Sequence, residues 1–465
     1  MGDATAPGLD LSEPRALHVV GVGGAGMSAI AAVLARLGHR VTGSDLRESA
    51  PLARLRSMGL TVVVGHHAAN LPAALDAVVV STAIPADNPE VVAAHARGVP
   101  VCRRADALRA IVATRPTVAV AGSHGKTTTS SMLALILRAA GRHPSFLIGG
   151  DVNEVGTNAL VDDGDLLVVE ADESDGTFLE LGPRDAIVTS ILADHLDHYG
   201  DAGHLADAFA RFVAGVPGVC VVCADDPGCA ALIATPGGRP VVTYGFADTA
   251  VYRLHDYRGG RDGTRFALSG PTGEMGEVVL PVPGRHNARN AAAAAAMACE
   301  LGVPFDAVTR ALQGFGGVAR RFQFRGERDG VTYIDDYAHL PSDVEAMIDA
   351  AHEGGWARVV AVFQPHRYSR TAALWRDFGD AFAGADTLVL TDVYAAGESP
   401  RPGVSGRLLL RAVLDAHPDL DVVYLPHRQD LVAHVPALAR PGDVVLTLGA
   451  GDLTTLPDEW LVPVT

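Results

Sequence analysis

Short runs of β-branched and other apolar residues alternate with helical stretches along most of the chain. Between residues 18 and 113 the apolar runs read LHVVGVG, HRVTGSD, LTVVVGH and DAVVVST, and an Ala- and Leu-rich stretch covers residues 27–37. Strands that alternate with helices are typical of βαβ units, whose strands form a parallel sheet. The pattern therefore predicts an α/β fold.

The alternation restarts at Pro116, which indicates a second domain. The strand TVAVAGS is followed by a Gly-rich turn and by residues 127–139, which have helical periodicity. Further apolar strands read DLLVVEAD, AIVTSI, VCVVCADD and PVVTYGF. Residues 252–283 alternate in a way that predicts an antiparallel hairpin region. An almost purely alanine helix over residues 287–301, which can pack closely because it lacks bulky side chains, ends the domain.

A third domain begins after the Gly-rich stretch at residues 313–317. Its apolar strands read VTYIDDYA, ARVVAVFQP, TLVLTDVY, DVVYLP and DVVLTLGAG. At 465 residues the chain is too long for one ordinary core. We predict a Rossmann-like N-terminal domain over residues 1–113, a central P-loop ATPase-like domain with a parallel or mixed sheet over residues 114–317, and a Rossmann-like C-terminal domain over residues 318–465.

The charge and composition of the chain limit the classes of molecule that it can bind and the compartment in which we expect it. The formal net charge of -17 disfavours nucleic acid and anionic lipid, although a few local cations can still bind a phosphate. No basic segment with a following apolar stretch opens the chain, and no run of about 18 apolar residues occurs, so we expect no membrane insertion. The five cysteines are odd in number and scattered, which indicates a reducing compartment and a cytoplasmic protein.

Cys220 and Cys223 have the spacing of a metal or redox pair. They lie, however, in an apolar run that reads as a buried strand, where side chains three residues apart point to opposite faces. We interpret them as core cysteines without a metal.

Residues 122–128, Gly-Ser-His-Gly-Lys-Thr-Thr, lie between a predicted strand and a predicted helix. A P-loop places successive backbone N–H groups around phosphates at such a position. Lys126 would reach the β- and γ-phosphates and Thr127 the magnesium ion. The full Walker pattern has a further glycine where this chain has Val120, so the match is to a shortened variant. The alternative is an ordinary turn with a solvated lysine, but the flanking strand, helix and glycines favour ATP binding. The predicted ATP-binding residues of this segment are Gly122, Ser123, His124, Gly125, Lys126, Thr127 and Thr128.

A second Gly-rich turn, GVGGAG, follows the first predicted strand. Gly21, Gly23, Gly24 and Gly26 precede Asp45, which lies 19 residues further on at the end of the next strand. This is the dinucleotide-binding fingerprint, and alone it would favour an NAD-dependent dehydrogenase. The motif itself requires only a diphosphate at a helix N-terminus, so a nucleotide-sugar diphosphate fits equally well.

Carboxylates and histidines follow two further strands of the central domain. Glu170, Glu173 and Asp175 emerge after DLLVV, and the segment Asp-His-Leu-Asp-His that contains His195 and His198 follows the next strand. Open α/β sheets bind ligands at this strand edge, and Mg²⁺ bound with ATP takes one or two carboxylates. Each cluster alone could be a solvated loop. Their position beside the P-loop strand favours a magnesium site.

These motifs together resemble the Mur ligase family, and within it the branch that adds L-alanine. The resemblance covers nearly the whole chain, through GVGGAGM, AGSHGKTTT, EADESDGTFL, ADHLDHYG, PGRHNARNAAAA, RRFQFRG, DDYAHLPSDVEA, FQPHRYSRT, DVYAAGE and LGAGDL. It implies three domains that bind, in order, the uridine nucleotide, ATP and the amino acid. It also implies ATP-dependent ligation of L-alanine to the lactyl carboxylate of UDP-N-acetylmuramate through an acyl phosphate, a step of peptidoglycan and cell-wall synthesis. The cofactors would be ATP and Mg²⁺, and the protein would be a monomer or weak homodimer.

The resemblance also assigns residues. Lys126, Glu170, His195 and Arg321 match the catalytic positions, and Thr127, Glu170 and His195 match the metal ligands. Asn287 and Asn290 match the adenine side, Arg321 the transferred phosphate and Asp336 the ATP ribose. Glu173, His339, Arg367 and Arg370 match the amino-acid and substrate side. The UDP-substrate set is Gly21, Gly23, Gly24, Ala25, Gly26, Asp45 and Ser81.

Plainer interpretations exist for some of these residues. Asn287 and Asn290 could be helix caps. Arg320 and Arg321 could be ordinary surface charges, whereas Arg367 and Arg370 follow a strand, where paired arginines favour an anion. The general base could be His195 or His198.

Two departures from the family pattern bear on the assignment. Residues 205–213, after the Asp-His motif, contain no lysine, which fits the alanine-adding branch. Leu340 occupies the position of a second histidine in the commoner form of the third-domain motif, so we expect no role for a histidine at this position. The alternatives are a tripeptide-recycling ligase, a folate-type ligase, a dehydrogenase, and a sensor that binds UDP-sugar without turnover.

Overall fold

The computed structural model describes residues 9–462 apart from residues 82 and 236, and the side chains of Ala25, Leu196 and Asp197 lie outside this description. The described residues form three sheets, of five, ten and six strands, with helices between the strands. This confirms the predicted α/β class. The chain divides into two compact units, one with residues 1–254, 269–273 and 290–311 and one with residues 255–268, 274–289 and 312–465. The domain boundaries at residues 113 and 317 stay predictions.

The first sheet lies in the first unit. Its strands are β1 (Ala16–Val20), β2 (Arg40–Asp45), β3 (Thr61–Val64), β4 (Ala77–Val80) and β5 (Val101–Arg103). The helices between and after them are α1 (Ala25–Arg36), α2 (Ala50–Ser57), α3 (Pro89–Ala96) and α4 (Arg104–Val112), with a 3-10 turn at Ala68–Asn70. All strand pairs are parallel, in the order β3-β2-β1-β4-β5. The strand order reverses between β1 and β4, so the turn after β1 lies where such sheets bind ligands.

The second sheet contains the predicted P-loop. Its strands in the first unit are β6 (Thr117–Ala121), β7 (Ser145–Val152), β8 (Thr157–Leu160), β9 (Leu167–Glu170), β10 (Asp185–Val188), β11 (Cys220–Cys223) and β12 (Val242–Gly245). The order β12-β11-β10-β6-β9-β7-β8 is parallel except for the antiparallel pair β7 and β8. β6 therefore lies between β10 and β9, which brings the segments after these three strands to one edge. Cys220 and Cys223 are both buried and not disulfide-bonded, as the sequence predicts.

The helices between the strands of this sheet are α5 (Lys126–Ala139), α6 (Leu196–Tyr199), α7 (Ala202–Gly215) and α8 (Pro227–Ile233). A 3-10 turn covers Thr177–Glu180. α9 (Arg285–Glu300) and α10 (Phe305–Gln313) follow the sheet. The six consecutive alanines of α9, residues 291–296, are fully buried. This confirms that the alanine helix packs closely.

Residues 252–283 form the predicted hairpins. The strands are β13 (Tyr252–Gly260), β14 (Gly263–Gly270) and β15 (Gly273–Leu280), and they are neighbours in that order. Only two residues join each strand to the next, and parallel strands need a much longer connection, so both pairs are antiparallel.

The third sheet lies in the second unit. Its strands are β16 (Gln323–Arg328), β17 (Val331–Asp336), β18 (Val359–Phe363), β19 (Thr387–Leu390), β20 (Asp421–Tyr424) and β21 (Val444–Leu448), in the order β16-β17-β21-β18-β19-β20. The helices are α11 (Pro341–Glu353), α12 (Tyr368–Leu374), α13 (Phe378–Ala381), α14 (Gly406–Ala416), α15 (Arg428–Leu438) and α16 (Leu456–Leu461), with a 3-10 turn at Asp452–Thr455. The pairing is parallel except for β16 and β17.

Alternate residues of β18 explain why helices cover both faces of this sheet. Val359, Ala361 and Phe363 pack into one apolar cluster with residues of α11, α13 and α14, whereas Val360 and Val362 pack into another with residues of α15 and α16. A strand that is buried on both faces reads as a continuous apolar run in the sequence. This is why β18 could be predicted as a strand. No helix among the described residues is long and apolar enough to cross a membrane.

Candidate active site

The P-loop joins the end of β6 to the start of α5, where the sequence predicts it. Gly122 and Gly125 have φ values of 132° and 78°, which favour glycine. A Cβ on Gly122 would overlap Oγ1 of Thr189 and lie 2.8 Å from the backbone nitrogen of Ser190. The turn is thus a backbone cradle with no room for a side chain at this position.

The remaining residues of the segment are fixed by the chain that follows β10. The backbone N–H of Ser123 donates to the carbonyl of Ser190 (3.0 Å), and that of His124 donates to its hydroxyl (2.9 Å). Thr127 and Thr128 lie buried in the first turn of α5. The first N–H groups of a helix have no partner within the helix, so this turn suits a phosphate.

Lys126 forms an ion pair with a buried carboxylate. Its Nζ donates to Oε1 and Oε2 of Glu173 (3.0 and 2.7 Å) and to the carbonyl of Gly122 (2.7 Å). Burial would lower the pKa of Lys126, but Glu173 and the nearby carboxylates outweigh it and raise the pKa above its ordinary value. The structure therefore places Glu173, expected on the amino-acid side, against the P-loop lysine. Its substrate role stays a prediction.

Lys126 is also the only lysine in the sequence, since every other basic side chain of the Lys and Arg class is arginine. A chain that uses arginine everywhere else retains lysine at the P-loop, where a compact point charge suits a phosphate group. The presence of a single lysine in the sequence could have indicated that Lys126 is a functional residue, even without the P-loop motif.

Glu170 ends β9, the strand next to β6. Its Oε2 accepts a hydrogen bond from the backbone N–H of Gly149 (2.7 Å). Carboxylate and hydroxyl oxygens are the donors that Mg²⁺ prefers, so Glu170 and Thr127 fit the predicted metal, with Asp172 and Glu173 close by. Their role as ligands stays a prediction.

His195 has φ 55°, an uncommon conformation for a residue other than glycine. Its backbone N–H donates to Oδ1 of Asp194 (2.8 Å), and its Nε2 lies 3.3 Å from Oδ2 of the same residue. The following Tyr199 donates its hydroxyl proton to the carbonyl of Glu173 (2.5 Å), which ties the Asp-His segment to the acidic one. Among the described residues, one His and carboxylate cluster has metal-ligand spacing, His143 with Asp162 and Asp163, and it includes none of the predicted ligands.

The two asparagines of α9 have different surroundings. Asn290 is buried, and a Cβ on Gly125 would overlap its Oδ1, so Asn290 lies against the P-loop. Asn287 is also buried, and its Nδ2 donates to the carbonyl of Pro283 (2.7 Å). That bond steadies the chain before α9 and is not an N-cap, in which the side chain accepts.

The turn after β1 brings most of the predicted UDP-substrate residues together. Gly21 has φ 77°, and its nearest neighbours would include Ser81 if it carried a Cβ. The backbone N–H of Gly23 donates to Oδ2 of Asp45 (2.8 Å), and a Cβ on Gly23 would lie 2.8 Å from that oxygen. Gly24 precedes α1, Ala25 begins it and Gly26 follows, while the side chain of Ala25 lies outside the described residues.

Arg104, which the sequence analysis did not single out, lies beside this turn. A Cβ on Gly26 would be 3.3 Å from its Nε and 3.5 Å from its Nη2, so the guanidinium packs against the start of α1. Its charge also helps to hold the pKa of Asp172 below its ordinary value, against the effect of burial. The only feature of the sequence near Arg104 that could have predicted an anion-binding role is the pair Arg103 and Arg104, where a three-residue strand ends.

In the second unit Asp336 is buried at the end of β17. Oδ2 accepts from the backbone N–H of Phe322 (2.6 Å), and Oδ1 accepts from that of Ala338 (2.7 Å). The guanidinium of Arg321 lies 5.3 Å from the Tyr337 ring centroid. Burial raises the pKa of Asp336 to about 6, against the opposing charge of Arg321.

Arg320, for which an ordinary surface position was one interpretation, is partly buried and tied down. Its Nη2 donates to the carbonyls of Gly449 (2.8 Å) and Gly451 (3.2 Å), and its guanidinium lies over Tyr337 at 4.8 Å. The surface-charge interpretation is therefore wrong for Arg320.

His339, Arg367 and Arg370 gather around His366, another residue that the sequence analysis did not assign. Nδ1 of His339 lies 3.0 Å from the carbonyl of Tyr337, and its ring lies 6.1 Å from that of His366. Nη1 of Arg370 lies 3.1 Å from Nδ1 of His366. Burial and the neighbouring Arg370 lower the pKa of His366 to about 4, so this imidazole is neutral at physiological pH.

Arg367 is exposed and has φ 69°, with its backbone N–H donating to the carbonyl of Tyr394 (2.8 Å). Tyr394 in turn stacks on His366, with ring centroids 5.7 Å apart. Leu340, which stands where the commoner family motif has a second histidine, is buried. This part of the second unit thus presents guanidinium groups beside a neutral histidine, a set that suits a carboxylate or phosphate.

Replacing Asp336 with asparagine is expected to flatten the pH dependence of stability between about pH 4 and 6. The folded-state pKa of about 6 lies above the ordinary 3.8. Protonated Asp336 therefore stabilises the fold below pH 3.8, and this contribution is lost as the pH rises through 6. A pKa that rises from 3.8 to about 6 on folding corresponds to about 3 kcal/mol. Melting temperatures of the two proteins from pH 4 to 7 measure it, with Asp349→Asn, at an exposed position of α11, as the control. Identical pH profiles for wild type and Asp336→Asn would show that the ionised carboxylate carries no such cost.

Three family models match the chain in succession. The catalytic domain of the Mur ligase family matches residues 16–116, the Mur ligase middle domain matches residues 120–298, and the glutamate ligase domain matches residues 320–451. Together they cover nearly all the predicted motifs.

Curated relatives match over almost the full length. A UDP-N-acetylmuramate–L-alanine ligase from Bradyrhizobium sp. (strain ORS 278) is 48% identical over 455 residues, which is 95% of this chain and 97% of that protein. A ligase of the same name from Rubrobacter xylanophilus is 48% identical over 452 residues, 96% of this chain and 99% of that protein.

Solved structures share the fold. The UDP-N-acetylmuramate-alanine ligase MurC from Thermotoga maritima has a TM-score of 0.81 and 29% identity over 96% of this chain and 98% of its own. A murein peptide ligase from Psychrobacter arcticus has a TM-score of 0.67 and 24% identity, over 96% of this chain and 98% of its own, and supports the fold alone.

Proposed function

The chain belongs to the Mur ligase family, and we propose that it joins L-alanine to the lactyl carboxylate of UDP-N-acetylmuramate in an ATP-dependent reaction. The observation that carries this proposal is that one compact unit contains two Gly-rich turns of the kind that bind phosphate groups. The turn at residues 21–26 is paired with Asp45, and the turn at residues 122–128 carries Lys126. A ligase that activates a nucleotide-linked carboxylate needs both.

The carboxylate of the sugar is a poor electrophile, so ATP converts it to an acyl phosphate that the amino group of alanine attacks. Lys126 would neutralise charge on the transferred phosphoryl group, which is where most catalysis of such a transfer lies. Magnesium, which Thr127, Glu170 and His195 would hold, supplies further positive charge to the phosphate oxygens. Arg321 would act on the same phosphoryl group.

Glu173 sets the state of Lys126 before nucleotide binds. Because its carboxylate holds the ammonium at 2.7 Å, incoming phosphate must compete with a buried counterion. The exchange replaces one anion by another around the same ammonium, so Lys126 stays charged throughout.

In the first sheet, the turn at residues 21–26 and Arg104 would bind the diphosphate of the sugar nucleotide, with Asp45 and Ser81 beside it. Arg104 supplies the positive charge that a dinucleotide-type turn itself lacks. Asn290 would lie near the base of ATP, and Asn287 and Asp336 are assigned to ATP by family resemblance alone. In the second unit His339, Arg367 and Arg370 would face substrate carboxylate or phosphate groups.

A tripeptide-recycling ligase is the nearest alternative. The curated relatives at 48% identity carry the alanine-ligase name, which favours L-alanine over the tripeptide. A dehydrogenase would use only the first turn and leaves the P-loop and its ion pair without a role.

We also propose a cytoplasmic protein that acts as a monomer or weak homodimer. None of the five cysteines forms a disulfide bond, which supports a reducing compartment. The net charge of -17 disfavours nucleic acid as a partner.

Phosphate release is expected only when UDP-N-acetylmuramate, ATP, magnesium and L-alanine are all present. Glycine, L-serine and the tripeptide L-alanyl-γ-D-glutamyl-meso-diaminopimelate, each supplied in place of alanine, test the amino-acid specificity, and mass spectrometry of the product identifies the amide. Turnover with the tripeptide and none with L-alanine would overturn the assignment. NADH oxidation without phosphate release would contradict ligase activity altogether.

A further inference from the structure

Glu90, in the first turn of α3, is a fully buried carboxylate outside the residues assigned above. Its Oε2 accepts from the hydroxyl of Ser44 (2.5 Å). Its Oε1 accepts from Nδ2 of Asn70 (2.5 Å) and from the backbone N–H of His67 (3.3 Å). The donors come from the end of β2 and from the loop after β3, two segments at the ligand edge of the first sheet.

A buried histidine, His18, and a partly buried one, His66, lie next to this carboxylate. Nε2 of His18 lies 3.7 Å and Nδ1 of His66 lies 3.3 Å from Oε2. Burial would raise the pKa of Glu90, but the neighbouring His18 and the hydrogen bonds from Ser44 and Asn70 hold it at about 2. The group is therefore charged at neutral pH. A buried charge is costly to keep, so its retention calls for a reason beyond stability.

One route leads from Glu90 to the Gly-rich turn through Ser44. The Ser44 hydroxyl has a single proton and donates it to Glu90, which fixes the orientation of this residue. The carbonyl of the same Ser44 accepts from the backbone N–H groups of Gly21 (2.9 Å) and Val22 (3.0 Å). The residue that Glu90 anchors thus carries the turn that would hold the diphosphate.

A second route leads to Asp45 through Asn70. The amide nitrogen of Asn70 donates to Glu90 and also to the carbonyl of Gly65 (2.9 Å). The backbone N–H of Gly65 donates to the carbonyl of Asp45 (2.8 Å). Glu90 therefore holds Asp45 from two sides. It fixes Ser44, the residue before Asp45, and, through Asn70, it fixes Gly65, whose N–H binds the Asp45 carbonyl. Its side chain is left to accept from Gly23 (2.8 Å).

We propose that Glu90 is a positioning residue for the sugar nucleotide, which acts through Ser44 and Asn70 to hold the Gly21 turn and Asp45 in their binding geometry. The proposal rests on the assignment of that turn to UDP-N-acetylmuramate. Glu90 is fully buried and acts through its neighbours. Loss of the Glu90 carboxylate should weaken the binding of UDP-N-acetylmuramate and leave the binding of ATP and L-alanine unaffected.

Glu90→Gln tests this, because an amide has one acceptor oxygen and cannot serve both Ser44 and Asn70. We expect the KM for UDP-N-acetylmuramate to rise about tenfold or more, while kcat and the KM values for ATP and L-alanine stay within about twofold. Glu48→Gln is the matched control. Glu48 belongs to the same domain, is exposed, and pairs with Arg56 (2.6 Å) away from this network, so all its constants should remain at wild-type values.

Ser44→Ala keeps the charge of Glu90 and removes the hydroxyl that donates to Glu90 and contacts Nδ1 of His66 (2.9 Å). The route through Asn70 stays intact, and this variant tests the proposal if Glu90→Gln does not fold. It should raise the same KM by a smaller factor. Calorimetry with UDP-N-acetylmuramate, in the absence of ATP and alanine, measures the affinity independently of turnover. Equal affinities in wild type and a folded variant, or parallel increases in all three KM values, would overturn the positioning role. If wild type binds the sugar nucleotide tightly but forms no amide, the proposed reaction fails while the Glu90 inference still stands on the affinities; if wild type does not bind it, both fail.

Discussion

Replacing Lys126 with alanine is expected to lower ATP-dependent phosphate release by about 10³-fold or more. The side chain is the one cation within the P-loop itself, and loss of a single charge-stabilising group at a transferred phosphoryl costs of this order. The measurement is phosphate release with UDP-N-acetylmuramate, ATP, magnesium and L-alanine at saturation. Near-full activity in this variant would refute the P-loop role of Lys126.

Loss of activity in this variant has a competing explanation, because Lys126→Ala leaves the buried carboxylate of Glu173 without its partner. Breaking a buried pair costs about 3–5 kcal/mol, and the lower end applies here because Lys126 keeps 13% of its side chain exposed. The double variant Lys126→Ala/Glu173→Gln removes both charges. It should regain most of the lost stability, measured as melting temperature, and remain inactive. A double variant that regained activity would place the catalytic charge elsewhere.

The single lysine provides a direct readout of the same site. An amine-reactive ester can modify only Lys126 and the N-terminal amine, so peptide mass spectrometry reports one side chain. ATP with magnesium should protect Lys126 from modification, because the phosphates cover the ammonium. At a pH high enough for measurable modification of Lys126 without nucleotide, equal modification with and without ATP would contradict contact between Lys126 and ATP.

The fold was predictable where strands are buried on both faces. β1, β6 and β18 read as almost continuous apolar runs because their residues are buried whichever face of the sheet they point to. β5 has only three residues, and β16, with the polar sequence QFRGER, is an edge strand beside β17. Neither produces an apolar run, so both were missed.

The candidate site was predictable where its chemistry is local. The P-loop is one segment, and its strand, turn and helix can be read in order. The pair of Lys126 with Glu173 joins residues 47 positions apart. It forms because β9 is the neighbour of β6, and strand order is a property of the sheet that no local pattern encodes. Arg104 and Glu90 escaped notice for the same reason, since each meets its partners only through tertiary packing.

Replacing Gly122 with alanine is expected to weaken ATP binding strongly and to destabilise the fold. The φ of 132° disfavours any side chain, and a Cβ would overlap Oγ1 of Thr189 and crowd the backbone of Ser190. Overpacking of this kind costs about 1–3 kcal/mol in addition to the backbone strain. The backbone must shift to relieve it, and displaced N–H groups no longer converge on a phosphate. We expect the Kd for ATP, measured by calorimetry, to rise about 100-fold or more.

Gly141→Ala is the matched control, because Gly141 follows the other end of the same helix α5. It has φ 73°, also in the region that favours glycine, but a Cβ there meets nothing within 4 Å. It should cost about 1 kcal/mol of stability from backbone strain and leave the Kd for ATP unchanged. The difference between the two variants separates crowding at the cradle from the general cost of a left-handed alanine. Equal ATP affinity in Gly122→Ala and Gly141→Ala would show that the cradle does not hold the phosphates.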